Sequence, residues 1–151
     1  MADMGIPHTL LRRVIGAARV YPIRVGNTPD GYSGGAYPDQ AEIRWQDIGQ
    51  VPETTTVTGR IRRVFTFSRQ QMHDAIWACQ PNEVFLNFCN YDPELSKVLT
   101  SEIDGMLCGM VPGGGSVRYT GWGPTINDIR ERSMRNPCDY TREEHILGWV
   151  K

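Results

Sequence analysis

Residues 83–109, EVFLNFCNYDPELSKVLTSEIDGMLCG, decide the fold class. Glu83 to Cys89 is a short apolar run built on Val84, Phe85, Leu86 and Phe88. That is strand length, and unbroken apolarity marks a strand in the middle of a sheet. Pro93 to Gly109 then reads as a helix, with Leu95, Val98, Leu99, Ile103 and Leu107 along one face. The Gly113-Gly114-Gly115 break leads into a last strand, Val117 to Thr120. A strand, a long helix and a second strand imply a parallel crossover.

Working outward, Pro7 to Ala18 carries Leu10, Leu11, Val14, Ile15 and Ala18 at helical spacing. Val20 to Val25 reads as a strand whose Pro22 places it at an edge. Gly26 to Pro38 holds four glycines and two prolines and is a long loop, the kind that carries function. Asp39, with Glu42 as reciprocal cap, opens a helix to about Ile48, and Gly49 to Arg63 is a second loop. Ser68 with Gln71 caps a helix that continues through Met72 and Ile76 to about Ala78. Thr125 to Met134 reads as a helix, and Thr141 to Val150 as an amphipathic one capped by Thr141 and Glu144. The sum is an α/β domain, a small mostly parallel sheet with flanking helices over residues 1–134, followed by a C-terminal helical tail, 135–151. Ligands of such sheets gather outside the carboxyl ends of the strands. Here those places are Gly26 onward, Asn87 to Asp92 and Gly121 to Thr125.

Composition narrows the function. The 151 residues fit one domain, and 40% hydrophobic with 22% charged residues is ordinary for a globular chain. A net charge of −1 gives no basic field for a nucleic-acid polymer, and no apolar run reaches the length of a membrane span. Cys79, Cys89, Cys108 and Cys138 form no C-x-x-C pair, so neither a zinc site nor a disulfide framework is expected, and the cytoplasm is the expected compartment. Of the 16 basic residues only Lys97 and Lys151 are lysine. Arginine's rigid fork matches carboxylates and phosphates in pairs, so some of these arginines are candidates to hold anions.

Thr58-Gly59-Arg60-Ile61-Arg62-Arg63, after a threonine run, combines hydroxyls, a glycine that frees backbone N–H groups, and closely spaced guanidiniums. That composition suits a carboxylate or a phosphate, and equally a solvated basic turn. Arg24-Val25-Gly26-Asn27 offers a close-approach glycine and a donor–acceptor amide at a strand end, or else an ordinary turn into the loop. In Gly121-Trp122-Gly123-Pro124-Thr125, Trp122 is either an aromatic plate for a base or plain core. Asn87 and Asn90 flank Phe88-Cys89 as a weaker signal. His8, His73 and His145 pair with no carboxylate in sequence, and neither a hydrolase nucleophile elbow nor a Walker phosphate loop is present. No catalytic group, metal ligand or cofactor is therefore assigned.

In order, Gly5-Ile6-Pro7, Ala18-Arg19-Val20-Tyr21-Pro22-Ile23-Arg24-Val25-Gly26, Thr58 to Arg63, Val84 to Asn90 and Gly123-Pro124 resemble the C-terminal part of adenylosuccinate synthetase, including its phage relatives that make aminoadenine precursors. The resemblance spans residues 5–130. In that family a nucleoside triphosphate phosphorylates the base oxygen of a purine monophosphate, and aspartate displaces the phosphate. The resemblance implies that Val25 and Gly26 lie against the monophosphate's ribose, that Arg60 serves both the nucleotide and the amino-acid side, and that Arg62 takes the aspartate carboxylate. Val57 stands where the family has a threonine, a departure on the aspartate side. Phe88 and Asn90 replace the family's guanine-reading lysine and aspartate, so guanine selectivity is expected to be lost, in favour of an adenine base or none. Gly123 matches the glycine that closes over that base.

The family's phosphate loop, magnesium-binding aspartate and catalytic histidine belong to its N-terminal region, outside the resemblance. The expectation is a non-catalytic purine-nucleotide binder, acting as a sequestering protein such as a phage sponge for a nucleotide-derived signal. The alternatives are a subunit of a split synthetase-like ligase, or a truncated remnant or interaction module without ligand, in which the Arg60/Arg62 loop is disordered or salt-bridged to the chain's own carboxylates. Homo-oligomerisation is expected to cover apolar surface, with the segment from Arg135 as one candidate cover.

Overall fold

The computed structural model describes residues 11–133. Its strands and helices are β1 (Ile15–Arg19), β2 (Ile23–Arg24), β3 (Glu42–Ile43), β4 (Arg63–Phe65), α1 (Arg69–Cys79), β5 (Glu83–Asn87), α2 (Pro93–Met110), β6 (Ser116–Gly121) and β7 (Ile129–Glu131). The main sheet has the order β1-β5-β6-β7, with β1, β5 and β6 parallel and β7 antiparallel. A smaller antiparallel sheet, β2-β4-β3, is inserted between β1 and α1. The α/β class, the mostly parallel sheet and the interior position of β5 are as the sequence implies.

Both helices contribute to one core. Ile76 of α1 and Leu99, Ile103 and Leu107 of α2 are fully buried with Val84, Leu86 and Val117 of the sheet. Ser68 caps α1 by accepting from the backbone of Gln71, and Asp92 caps α2 by accepting from Leu95 at 2.9 Å, with Pro93 at the first turn, where its missing N–H costs nothing. The sheet's opposite face leaves Ile15 half exposed and forms an open concavity of about 470 Å³ with Phe85, Tyr119, Ile126 and Ile129.

Four local expectations are corrected. Residues 15–19 form an edge strand rather than the end of a helix, because Gly16 fits against Pro81 and Val84 while the backbone of Val14 bonds Asn82 and Glu83. Here tertiary pairing outweighs helical spacing. Residues 39–48 form β3 and a single 3-10 turn, Trp45–Ile48. Asp39 caps a different helix: its carboxylate accepts from the Ser68 hydroxyl at 2.6 Å and the Gln70 amide at 3.0 Å, which holds it below the usual aspartate range. Within 125–133 a 3-10 turn, Ile126–Asp128, precedes β7, which replaces the expected helix and displaces β6 as the last strand. Of the expected strand Val20 to Val25 only β2 pairs, because Pro22 cannot donate. The expected tail helix lies outside the described residues.

Candidate functional site

The carboxyl ends of β1, β5 and β6 are stitched into one surface. Val20 N–H donates to the Asn87 carbonyl at 3.2 Å and Cys89 N–H to the Gly121 carbonyl at 2.8 Å. Gly121 packs directly on the Asn87 side chain, which leaves no room for a Cβ there. After β5 the chain turns sharply: Phe88 has φ 61° and its N–H donates to Asn87 Oδ1 at 2.8 Å. This strained residue presents its ring to Arg19, whose guanidinium lies 3.5 Å from the ring centre. Tyr21 donates to Asp92 at 3.0 Å, and burial followed by that carboxylate pushes its hydroxyl up to about 12.

The arginine loop is a closed turn. Thr55 N–H donates to the Arg60 carbonyl at 2.9 Å, Gly59 N–H to the Thr55 carbonyl at 3.0 Å, and Arg60 N–H to Thr55 Oγ1 at 3.1 Å. Thr58 and Thr55 share a hydroxyl contact of 2.5 Å, and Gly59 sits at φ 62°, where glycine is at ease. Arg24-Val25-Gly26 and this loop are neighbours: a Cβ at Gly26 would lie 2.5 Å from the Ile61 carbonyl oxygen and 3.8 Å from Arg60 Cβ. Gly26 and Arg60 thus share one surface.

The arginines of this surface divide into two kinds. Arg63 is a clamp: it holds both Glu42 oxygens at 2.9 and 2.6 Å, and Nη1 donates to Ser33 Oγ at 2.8 Å and to the Gly34 carbonyl at 2.9 Å. Arg24 donates to the Gly35 carbonyl, and Asn27 Oδ1 accepts from Ser33 N and Oγ, both at 3.1 Å. These three side chains fold the 26–38 loop. Arg60 and Arg62, by contrast, bond no carboxylate among the described residues; Arg62 Nε reaches only the Thr54 carbonyl at 3.4 Å. Pairing with Arg63 lowers the Glu42 carboxyl, so the pair's contribution is complete above the ordinary glutamate range and fades as pH falls through the lowered value. Arg63→Ala is expected to cost about 2 kcal/mol in urea unfolding, a figure kept modest because Glu42 is half exposed.

Other candidate residues fall less centrally. Val25 and Asn90 are exposed. Trp122 is half-buried against the core, donates to Thr120 Oγ1 at 3.0 Å and stacks under Arg130 at 4.5 Å. Gly123 abuts Asp128. None of the twelve candidates lines the sheet-face concavity or a second one of about 250 Å³ between β1 and α1. Sequence reasoning missed Glu53, Arg19 and Tyr91, which join the arginine loop to the strand ends; an isolated glutamate in a loop gives no signal of that role. Among the described residues no group of three or more metal-ligating side chains is present, and no helix is long and apolar enough to cross a membrane.

No protein-family model matches the chain. It is 51% identical over 137 residues to the N6-succino-2-amino-2'-deoxyadenylate synthase of Vibrio phage phiVC8, covering 87% of this chain and 37% of that protein. The same-named synthase of Cyanophage S-2L is 42% identical over 139 residues, with 89% and 37% covered. The solved structure of the Cyanophage S-2L succinoaminodeoxyadenylate synthetase, bound to dGMP and to dATP as an energy donor, superposes with a TM-score of 0.75 at 38% identity, over 91% of this chain and 39% of that one. The chain spans just over a third of the length of these relatives. Over most of its described length, therefore, it is similar in sequence and fold to a part of the phage synthases, enzymes of the adenylosuccinate synthetase type.

Proposed function

We propose that this chain is a purine-nucleotide-binding unit whose anion contacts come from Arg60 and Arg62. The observation that carries the reading is the contrast among its arginines. Those at positions 19, 63, 69, 118 and 132 are neutralised by carboxylates, whereas Arg60 and Arg62, beside Gly26, meet no carboxylate among the described residues. Guanidiniums carried on a short turn and free of internal carboxylate partners hold phosphate or carboxylate oxygens with charge-assisted bonds. The dGMP and dATP in the cyanophage structure support nucleotides of this class as ligands. Its use of dATP as donor also supports an adenine base where Phe88 and Asn90 replace the guanine-reading pair.

Isothermal titration with dGMP and dATP tests the reading. Submillimolar binding of at least one is expected, and Arg60→Ala is expected to weaken it roughly 10- to 100-fold without lowering the melting temperature. Absence of submillimolar binding by wild-type protein refutes it.

The 51% identity to a ligase favours a synthase part over a sequestering protein. In that second reading Val25 and Gly26 lie along the ribose, Arg62 takes the aspartate carboxylate, and Thr58, Gly59, Asn87 and Gly123 complete the surround. The exposed sheet face around Ile15, Phe85 and Ile129 gives the rest of such an enzyme, or a second copy, apolar surface to cover. Phosphate release from dATP, dGMP and aspartate, on addition of the complementary region of a phage synthase, distinguishes this role; binding without turnover in the mixture returns the sequestering one.

A further inference from the structure

We propose that Glu53 is a positioning residue that sets the Arg60–Arg62 loop at its working height above the strand ends. The inference rests on the nucleotide reading and identifies what orients the loop. Glu53 is bonded at both of its ends. Its carboxylate accepts from Arg19 at 2.5 and 3.2 Å and from the Tyr91 hydroxyl at 3.0 Å. Its main-chain carbonyl accepts from the Arg62 N–H at 2.8 Å, and the next carbonyl, Thr54, accepts from Arg62 Nε at 3.4 Å. The isolated bridge between Thr54 and Ile61 continues the same pairing. One residue thus connects the carboxyl end of the parallel sheet to the backbone that carries both uncommitted arginines.

The anchor side of this connection is closely packed. Arg19 ends β1 and stacks 3.5 Å from the centre of the Phe88 ring. Phe88 in turn packs at 5.1 Å against the Tyr91 ring, and it is fixed by the left-handed turn that follows β5. The Arg19 and Glu53 side chains are 19% and 23% exposed, so the pair is far better shielded than an ordinary surface pair. Arg19 also spends its charge on Glu53, which leaves the carboxylate satisfied and the cations of Arg60 and Arg62 available to a ligand.

The test combines hydrogen exchange with titration on the full chain, using Glu53→Gln and Tyr91→Phe. Glu53→Gln keeps the shape but removes the charge that holds Arg19. Exchange of the 54–62 amides is expected to quicken while that of α2 stays unchanged, and affinity for dGMP or dATP is expected to fall about tenfold through misplacement alone. Tyr91→Phe removes one hydrogen bond without orphaning a charge, and an affinity loss of about threefold is expected. It also serves if the first variant fails to fold. Unchanged loop exchange in the variants overturns the tether, and quickened exchange with wild-type affinity overturns the positioning role. Wild-type protein that binds neither nucleotide refutes the nucleotide reading itself and removes the positioning role with it, whatever the exchange data show about the tether.

Discussion

Gly26→Ala is expected to lower nucleotide affinity about 100-fold while the core stays folded. The added methyl would sit 2.5 Å from the Ile61 carbonyl oxygen, a main-chain atom that cannot swing aside as a side chain would. Either the arginine loop or the start of the 26–38 loop must therefore move. The arginine loop has little slack, because its turn is closed by the Thr55 bonds to Gly59 and Arg60 and tied at Arg62 to Glu53. A shift of the whole turn carries Arg60 and Arg62 off their positions together, which explains why the expected loss is no smaller than that of Arg60→Ala. Overpacking of this kind costs about 1–3 kcal/mol, so urea unfolding of the variant is expected to show a modest decrease in stability beside a large one in affinity. Titration with dGMP or dATP next to a denaturant curve separates the two.

Ile103→Ala carries the largest expected loss of stability. Ile103 is fully buried in α2 and belongs to the same core cluster as Ile76, Val84, Leu86, Leu99 and Leu107. Truncation removes buried methyl groups and leaves a cavity between both helices and the central strand, where close packing allows little collapse. Such substitutions cost about 2–5 kcal/mol, a large share of a marginal stability for a domain of this size. The denaturation midpoint is expected to fall accordingly. Because β5 ends in the turn that fixes Phe88, partial unfolding at α2 should also quicken hydrogen exchange at 88–92, away from the substitution.

The elements legible in the sequence are those whose signals are local and mutually consistent. Ser68 with Gln71, Pro93 ahead of the apolar stripe, and the unbroken run Val84 to Leu86 each specify the structure that forms. Elements made by long-range pairing were not legible. The strands β3 and β7 are two and three residues long and carry no periodicity, β2 is legible only within the longer strand expected at Val20 to Val25, and Ile15 to Ala18 reads as the end of a helix because its partner β5 lies far along the chain. At the candidate site, Gly26 meets the arginine loop at the Ile61 carbonyl. The roles within it are redistributed, since Arg24, Asn27 and Arg63 serve the fold of the 26–38 loop. Which arginine is spent on a carboxylate depends on where Glu42 and Glu53 arrive in space, and spacing along the chain does not encode that.

The most direct measurement is a titration of isotopically labelled protein with dGMP or dATP, followed by amide and arginine side-chain NMR signals. Saturable shifts are expected at Gly26, Gly59, Arg60 and Arg62, with Arg63 largely unmoved because its guanidinium is already committed. Shifts confined to the open sheet face around Phe85 and Tyr119, or none at submillimolar nucleotide, would contradict an anion site built on the uncommitted arginines.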